Sequence, residues 1–151
     1  MANTLSKIYL HIIFAVKGRY SVLPAHCLPN IHAYMASTVR KLGHQCTITG
    51  GTENHVHILI EYNIQKLIPD LIHDLKIATS RYINNNRLVI GRFQWQRGYA
   101  VLSYSKSAIP DLMNYIKNQY EHHKGRSLKE EVKLFLDRYE IEYDDRYLFD
   151  D

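Results

Sequence analysis

The residues in this chain best suited to chemistry are two histidines one residue apart, His55-Val56-His57. They sit in a stretch, residues 52–61, whose alternation reads as a β-strand with successive side chains on opposite faces. Val56, Ile58 and Ile60 fall on one face with Asn54 and Tyr62, while Glu53, His55, His57, Leu59 and Glu61 fall on the other. Imidazoles side by side on one strand face are close enough to grip one divalent cation. A bare His-x-His is weak in a chain with 9 histidines, so its company has to decide. A second group comes late: Tyr115 and Gln119 are four apart, one turn above the other on a helix. They lie at the edge of an apolar stripe of Ile109, Leu112, Met113, Ile116 and Tyr120. From that edge a tyrosine could reach a site between helix and sheet while the stripe holds the helix down.

The elements that must position these groups follow from periodicity. Residues 5–17 alternate, with Ile8, Leu10, Ile12, Phe14 and Val16 on one face and Lys7, Tyr9, His11 and Lys17 on the other. Residues 30–42 carry a helical pattern that Gly43 ends as a C-cap. A strand at 45–50 turns at Gly50-Gly51 and returns as the histidine strand, a β-hairpin. Residues 64–85 form the strongest amphipathic helix, its regular part starting near Pro69. A fourth strand spans residues 93–105, with Gly98 marking a bulge. The tyrosine helix runs from Asp111 to His123 with Pro110 in its first turn. A further helix starts at the capping box Ser127-x-x-Glu130. The order β-α-β-β-α-β predicts an α+β, ferredoxin-like antiparallel sheet with two helices on one face and an added C-terminal helix. His55, His57 and His11 would then lie on the open face, which wants a cover or a ligand.

Length and composition predict one domain spanning residues 1–151, large enough for a proper core. No apolar run approaches a membrane span and no signal-peptide core opens the chain, which excludes membrane-embedded classes and predicts a cytoplasmic protein. Cys27 and Cys46 follow no metal or redox spacing and read as reduced thiols. Residues 1–127 hold 15 Lys+Arg against 6 Asp+Glu, whereas the extension 128–151 holds 4 against 9. A basic body with an acidic tail suits a polyanion such as nucleic acid.

Together, His55-Val56-His57, Trp95-Gln96-x-Gly98-Tyr99, Tyr115-x-x-x-Gln119 and Glu121-His122-His123 resemble the single-tyrosine HUH transposases of bacterial and archaeal insertion sequences. Lys17-Gly18-Arg19 and Asp74-Leu75-Lys76 are also similar to that family, while Pro69 departs from it. The resemblance covers nearly the whole chain. It implies that His55, His57 and Gln119 bind Mg²⁺ or Mn²⁺ and that Tyr115 is the nucleophile. Tyr115 would form a 5′-phosphotyrosine link to single-stranded DNA at the ends of an insertion sequence. All three ligands are neutral, so the ion would keep its full charge for the scissile phosphate. It further implies DNA hairpins as partners and a homodimer whose sheets join, for which the fourth strand is a candidate edge.

Alternatives stay open at this point. Glu53 shares the histidine face and could replace Gln119 as a ligand, because Mg²⁺ favours carboxylates. Tyr120 competes with Tyr115 but falls inside the apolar stripe. His11 is an accessory candidate, and the sequence names no proton acceptor for the tyrosine. Lys17, Arg19, Lys76, Arg81, Arg97 and Lys117 are candidates for contact with the DNA backbone. Two other functions fit the same pattern. One is a domesticated nickase that processes repeat hairpins, and the other a non-catalytic RNA-binding-like module.

Overall fold

Strand alternation and helical stripes reappear as elements in the computed structural model, which describes residues 4–18, 22–119 and 127–149. They are β1 (Tyr9–Ala15), α1 (Leu28–Lys41), β2 (Gln45–Gly51), β3 (His55–Glu61), α2 (Ile68–Asn85), β4 (Ala100–Tyr104), α3 (Ile109–Lys117) and α4 (Leu128–Arg138). The strands make one antiparallel sheet in the order β2-β3-β1-β4, the ferredoxin-like arrangement expected. Arg19, Tyr120, Glu121, His122 and His123 lie outside the described residues. Among the described residues, no helix is long and apolar enough to cross a membrane.

Local chemistry explains where the helices begin. Pro69 and Pro110 stand in the first turns of α2 and α3, where a missing N–H leaves no bond unmade. At α4 the Ser127 hydroxyl accepts from the Glu130 N–H, and the Glu130 carboxylate accepts from the Ser127 N–H.

One sheet face packs as foreseen. Leu10, Ile12, Phe14 and Val16 meet Val56, Ile58 and Ile60 beneath Ile31, Met35 and Val39 of α1 and Leu71, Leu75 and Ile83 of α2. The opposite face, expected to be covered by the tyrosine helix, carries a second apolar layer to which α4 contributes as well. Ile13, Ala15 and Leu102 are buried under Leu128, Val132, Phe135 and Leu136 of α4, and Leu59 under Ile109, Leu112 and Ile116 of α3. The acidic segment after residue 127 therefore begins as a packed helix.

Two further expectations are corrected. Only residues 100–104 of the 93–105 stretch pair along β1. Upstream, a single bridge joins Val16 to Trp95, and Gly98 turns the chain at φ +86°. Trp95 instead packs with Phe14 and donates from its indole to Thr79 Oγ1 at 2.9 Å. Gly50 and Gly51 are not the hairpin turn but the end of β2, and residues 52–54 make the turn. Gly51 holds φ +146°, where a Cβ would meet the His55 carbonyl oxygen at 2.3 Å. A Cβ on Gly50 would lie 2.6 Å from the Ile116 carbonyl oxygen, so α3 rests directly on the strand backbone there.

Gly50→Ala is expected to push α3 off the sheet and lower stability by roughly 1–3 kcal/mol. Urea unfolding would read this as a lower midpoint at unchanged slope. A wild-type midpoint would show that α3 does not depend on this close approach.

Candidate active site

β1 and β3 pair with Ala15 opposite His55 and Ile13 opposite His57, which puts both imidazoles on the α3/α4 face. Both are fully buried. His55 Nδ1 lies 2.8 Å from Asn54 Oδ1 and 2.9 Å from Thr52 Oγ1. An amide oxygen can only accept, so His55 carries its proton on Nδ1 and turns the Nε2 lone pair inward. Gln119 Nε2 donates to that lone pair at 3.3 Å. His57 Nε2 lies 3.1 Å from His55 Nε2, so the two metal-capable nitrogens face one another. Behind His57, its Nδ1 is 2.7 Å from His11 Nε2, and the two rings stack at 4.9 Å. His11 is thus brought into the site as the ring behind His57, and burial presses its pKa down to about 3.

α3 supplies the other half. Tyr115, half-buried, meets the His57 ring edge-on at 5.8 Å between centroids. The tyrosine helix, expected to run from Asp111 to His123, ends at Lys117, so Gln119 lies two residues beyond it; it is buried, and its Oε1 has no hydrogen-bond partner among the described residues. Its Nε2 donates to both oxygens of Glu131, at 2.8 and 2.9 Å.

Glu131 on α4 was not foreseen. Its carboxylate lies 3.5 Å from His57 Nε2 and 4.0 Å from His55 Nε2. Among the described residues, His55, His57 and Glu131 form the group that could hold a metal ion, their donor atoms all within 4.8 Å of one another. Glu53, the carboxylate weighed from sequence, is not in that group and sits in the turn before β3. A signal for Glu131 did exist: it falls between Leu128 and Phe135 on the buried stripe of α4, where a carboxylate is out of place. Burial raises its pKa to about 8. A cleft of about 380 Å³ between α3 and α4 opens beside it, lined by Tyr104, Asp111, Tyr115, Glu131, Phe135 and Arg138 among others.

The basic candidates divide by place. Lys17, Lys76, Arg81 and Arg97, with Arg92 and Arg146, line a groove of about 1110 Å³ between α2 and residues 91–97. Lys76 also serves the fold there, donating to the carbonyls of Gln96 and Gly98 at 2.8 Å each and lying over the Phe14 ring. Lys117 is exposed on α3 and does not line this groove.

These shifts predict how metal-free stability follows pH. His11, at about 3, and His32, at about 4, are held below their ordinary 6.5, so they destabilise the fold as pH falls from 6.5. Glu131 is held above its ordinary 4.5, so the unfolded chain loses that proton first and stability falls as pH rises from 4.5 toward 8. Two histidines outweigh one carboxylate below pH 6.5, which places the optimum near there. Thermal unfolding in EDTA would show it, and Glu131→Gln should remove the decline between pH 6.5 and 8. A decline that persists in the variant would assign it elsewhere.

Comparison with known proteins agrees with this geometry. The sequence profile of the family described as Transposase IS200 like matches residues 4–119. The ISDra2 transposase TnpA of Deinococcus radiodurans is 25% identical over 116 residues, covering 74% of this chain and 83% of that protein. The crystal structure of a candidate transposase from Deinococcus radiodurans shares the fold, with a TM-score of 0.61 at 24% identity. That match covers 79% of this chain and 95% of the other. A REP-associated tyrosine transposase bound to a REP hairpin has the same fold, with a TM-score of 0.60 at 10% identity over 99% of this chain and 91% of that one. Since the profile spans the sheet, the histidine strand and the tyrosine helix, the chain belongs to the IS200-like transposase family.

Proposed function

We propose that this transposase cleaves and rejoins single-stranded DNA at insertion-sequence ends through Tyr115, assisted by Mg²⁺ or Mn²⁺ at His55, His57 and Gln119. The observation that carries the reading is the convergence of a helix-borne phenol, two inward Nε2 atoms and a buried amide on one patch of the sheet. The donor set fits a divalent cation. Gln119 Oε1 is a buried carbonyl oxygen with no hydrogen-bond partner among the described residues, on the same amide whose Nε2 reaches His55 and Glu131, and His55, His57 and Glu131 bring two imidazole nitrogens and a carboxylate within 4.8 Å of one another. His57 offers Nε2 when its own proton sits on Nδ1, where His11 Nε2 accepts it, so His11 orients a ligand. When bound, the cation supplies Lewis-acid polarisation of a non-bridging oxygen on the scissile phosphate.

The chain's own residues do the rest. The Tyr115 oxygen attacks phosphorus and gives up its proton, the 3′-oxygen leaves as a hydroxyl, and the 5′-phosphate stays esterified to the phenol. Because the ester is retained, a second 3′-hydroxyl can reverse the step and join strands without an external energy source. Lys17, Arg81 and Arg97, joined by Arg19 and Lys117, hold the DNA backbone, with Lys76 as a fixed charge at the groove floor. Edge strand β4 is the candidate surface for pairing two copies of the sheet. A narrower reading, processing of repeat hairpins without transposition, is favoured by one observation. The hairpin-bound REP-associated transposase matches 99% of this chain, so its likeness includes the region beyond residue 119.

Labelled single-stranded hairpin DNA mixed with protein and Mn²⁺ should give a covalent adduct on a denaturing gel. Tyr115→Phe is expected to reduce it by at least about 10³-fold, and EDTA should abolish it. An adduct that survives Tyr115→Phe would overturn the nucleophile, and one formed equally in EDTA would remove the metal from the chemistry. Arg81→Ala and Arg97→Ala should each weaken DNA binding and lower the salt slope by about one unit. Unchanged slopes in both would place the DNA path away from this groove.

A further inference from the structure

The histidines and Gln119 come from the part of the chain matched by the family, but Glu131 does not, since the match ends at residue 119. α4 nevertheless drives this carboxylate into the site. Leu128, Val132, Phe135 and Leu136 pack against Ile13, Ala15 and Leu102, and that anchoring aims Glu131 at the facing imidazoles. Resting on the metal reading above, we propose that Glu131 is the fourth ligand of the cation in the DNA-free protein and that a phosphate oxygen of the substrate displaces it.

Burial makes displacement necessary. His55 and His57 are 0% exposed, Gln119 1% and Glu131 4%, so no phosphate oxygen reaches a cation held among them while the carboxylate stays seated. The exchange is balanced in charge and type, because carboxylate and phosphodiester each present one negative charge on hard oxygen donors. The route is also present. Glu131 and Tyr115 both line the cleft between α3 and α4, so a phosphate entering there meets the nucleophile and the departing ligand together. Arg138 lines the same cleft on the same face of α4, two turns beyond Glu131, and gives the displaced carboxylate a cationic resting place. The consequence is a site that holds its metal firmly at rest without that ligand blocking the phosphate during cleavage.

The test measures Mn²⁺ affinity of the full chain by electron paramagnetic resonance, with and without a single-stranded oligonucleotide, in a Tyr115→Phe background that cannot cleave. Without DNA, Glu131→Ala and Glu131→Gln should each weaken Mn²⁺ binding about tenfold or more. With DNA bound, the difference from the Glu131 parent should shrink to less than about threefold, because phosphate then fills the position. Equal affinity without DNA would show that Glu131 is not a ligand. The same loss with and without DNA would make it a permanent ligand and overturn the displacement. Failure of the underlying reading would look different: with Tyr115 intact, no tyrosine-dependent adduct would form whatever residue stands at 131.

Discussion

The structure depends on keeping a polar cluster dry. His11, His55, His57, Gln119 and Glu131 are all buried between the sheet and the two later helices, in a layer whose other members are aliphatic or aromatic. Polar groups in such a place must satisfy one another, because each one left unpaired costs about 1–3 kcal/mol. They do so as a chain: Asn54 holds His55, His55 takes the Gln119 N–H, Gln119 holds Glu131, and His11 backs His57. Among the described residues, two atoms of the cluster are left over, Gln119 Oε1 and His11 Nδ1, and they show where the network stops short. The first is the oxygen proposed above as a metal donor, and the second belongs to the ring behind His57.

The sheet makes this cluster possible by being covered on both faces. α1 and α2 close one side with an ordinary apolar core, which leaves β1 and β3 rigid enough to fix the imidazoles. On the other side, α3 comes close enough to deliver Tyr115 and Gln119 because Gly50 has no side chain to hold it away. α4 then seals the layer and adds the Glu131 carboxylate. The polar cluster is thus assembled from four places in the chain, and the residues before β3 contribute to it as well. Thr52 and Asn54, in the short turn after β2, set the tautomer of His55.

Charge is distributed separately from chemistry. The basic groove lies along α2 and residues 91–97, and the acidic C-terminal segment reaches it at Arg146 and Leu148. Lys76 shows how a charge in that groove can serve the fold first. Its two carbonyl acceptors, Gln96 and Gly98, lie between the Val16–Trp95 bridge and β4, so the ammonium helps hold an irregular stretch where the ladder is interrupted. The negative charge beyond residue 127 does not oppose the groove as a uniform tail, since Glu131 is internal and Asp144 pairs with Arg146.

Local pattern alone determined the element order, the packed faces of β1 and β3, the proline-led starts of α2 and α3, and the cap of α4. Each of these rests on spacing within a few residues. The pairing of His55 with His57 was legible for the same reason, since the strand period places such neighbours on one side, whereas the helix expected to carry both Tyr115 and Gln119 ends at Lys117. The short β4 and the true place of Gly50 and Gly51 were not, because they depend on Trp95 reaching Thr79 and on Ile116 pressing against β2. Glu131 was hidden in the same way: in sequence it is one acid among nine after residue 127, and only the docking of α4 makes it internal. Periodicity says which side of an element a residue occupies. What stands opposite that side is decided by packing between segments far apart in the chain, and the composition of this site was settled there.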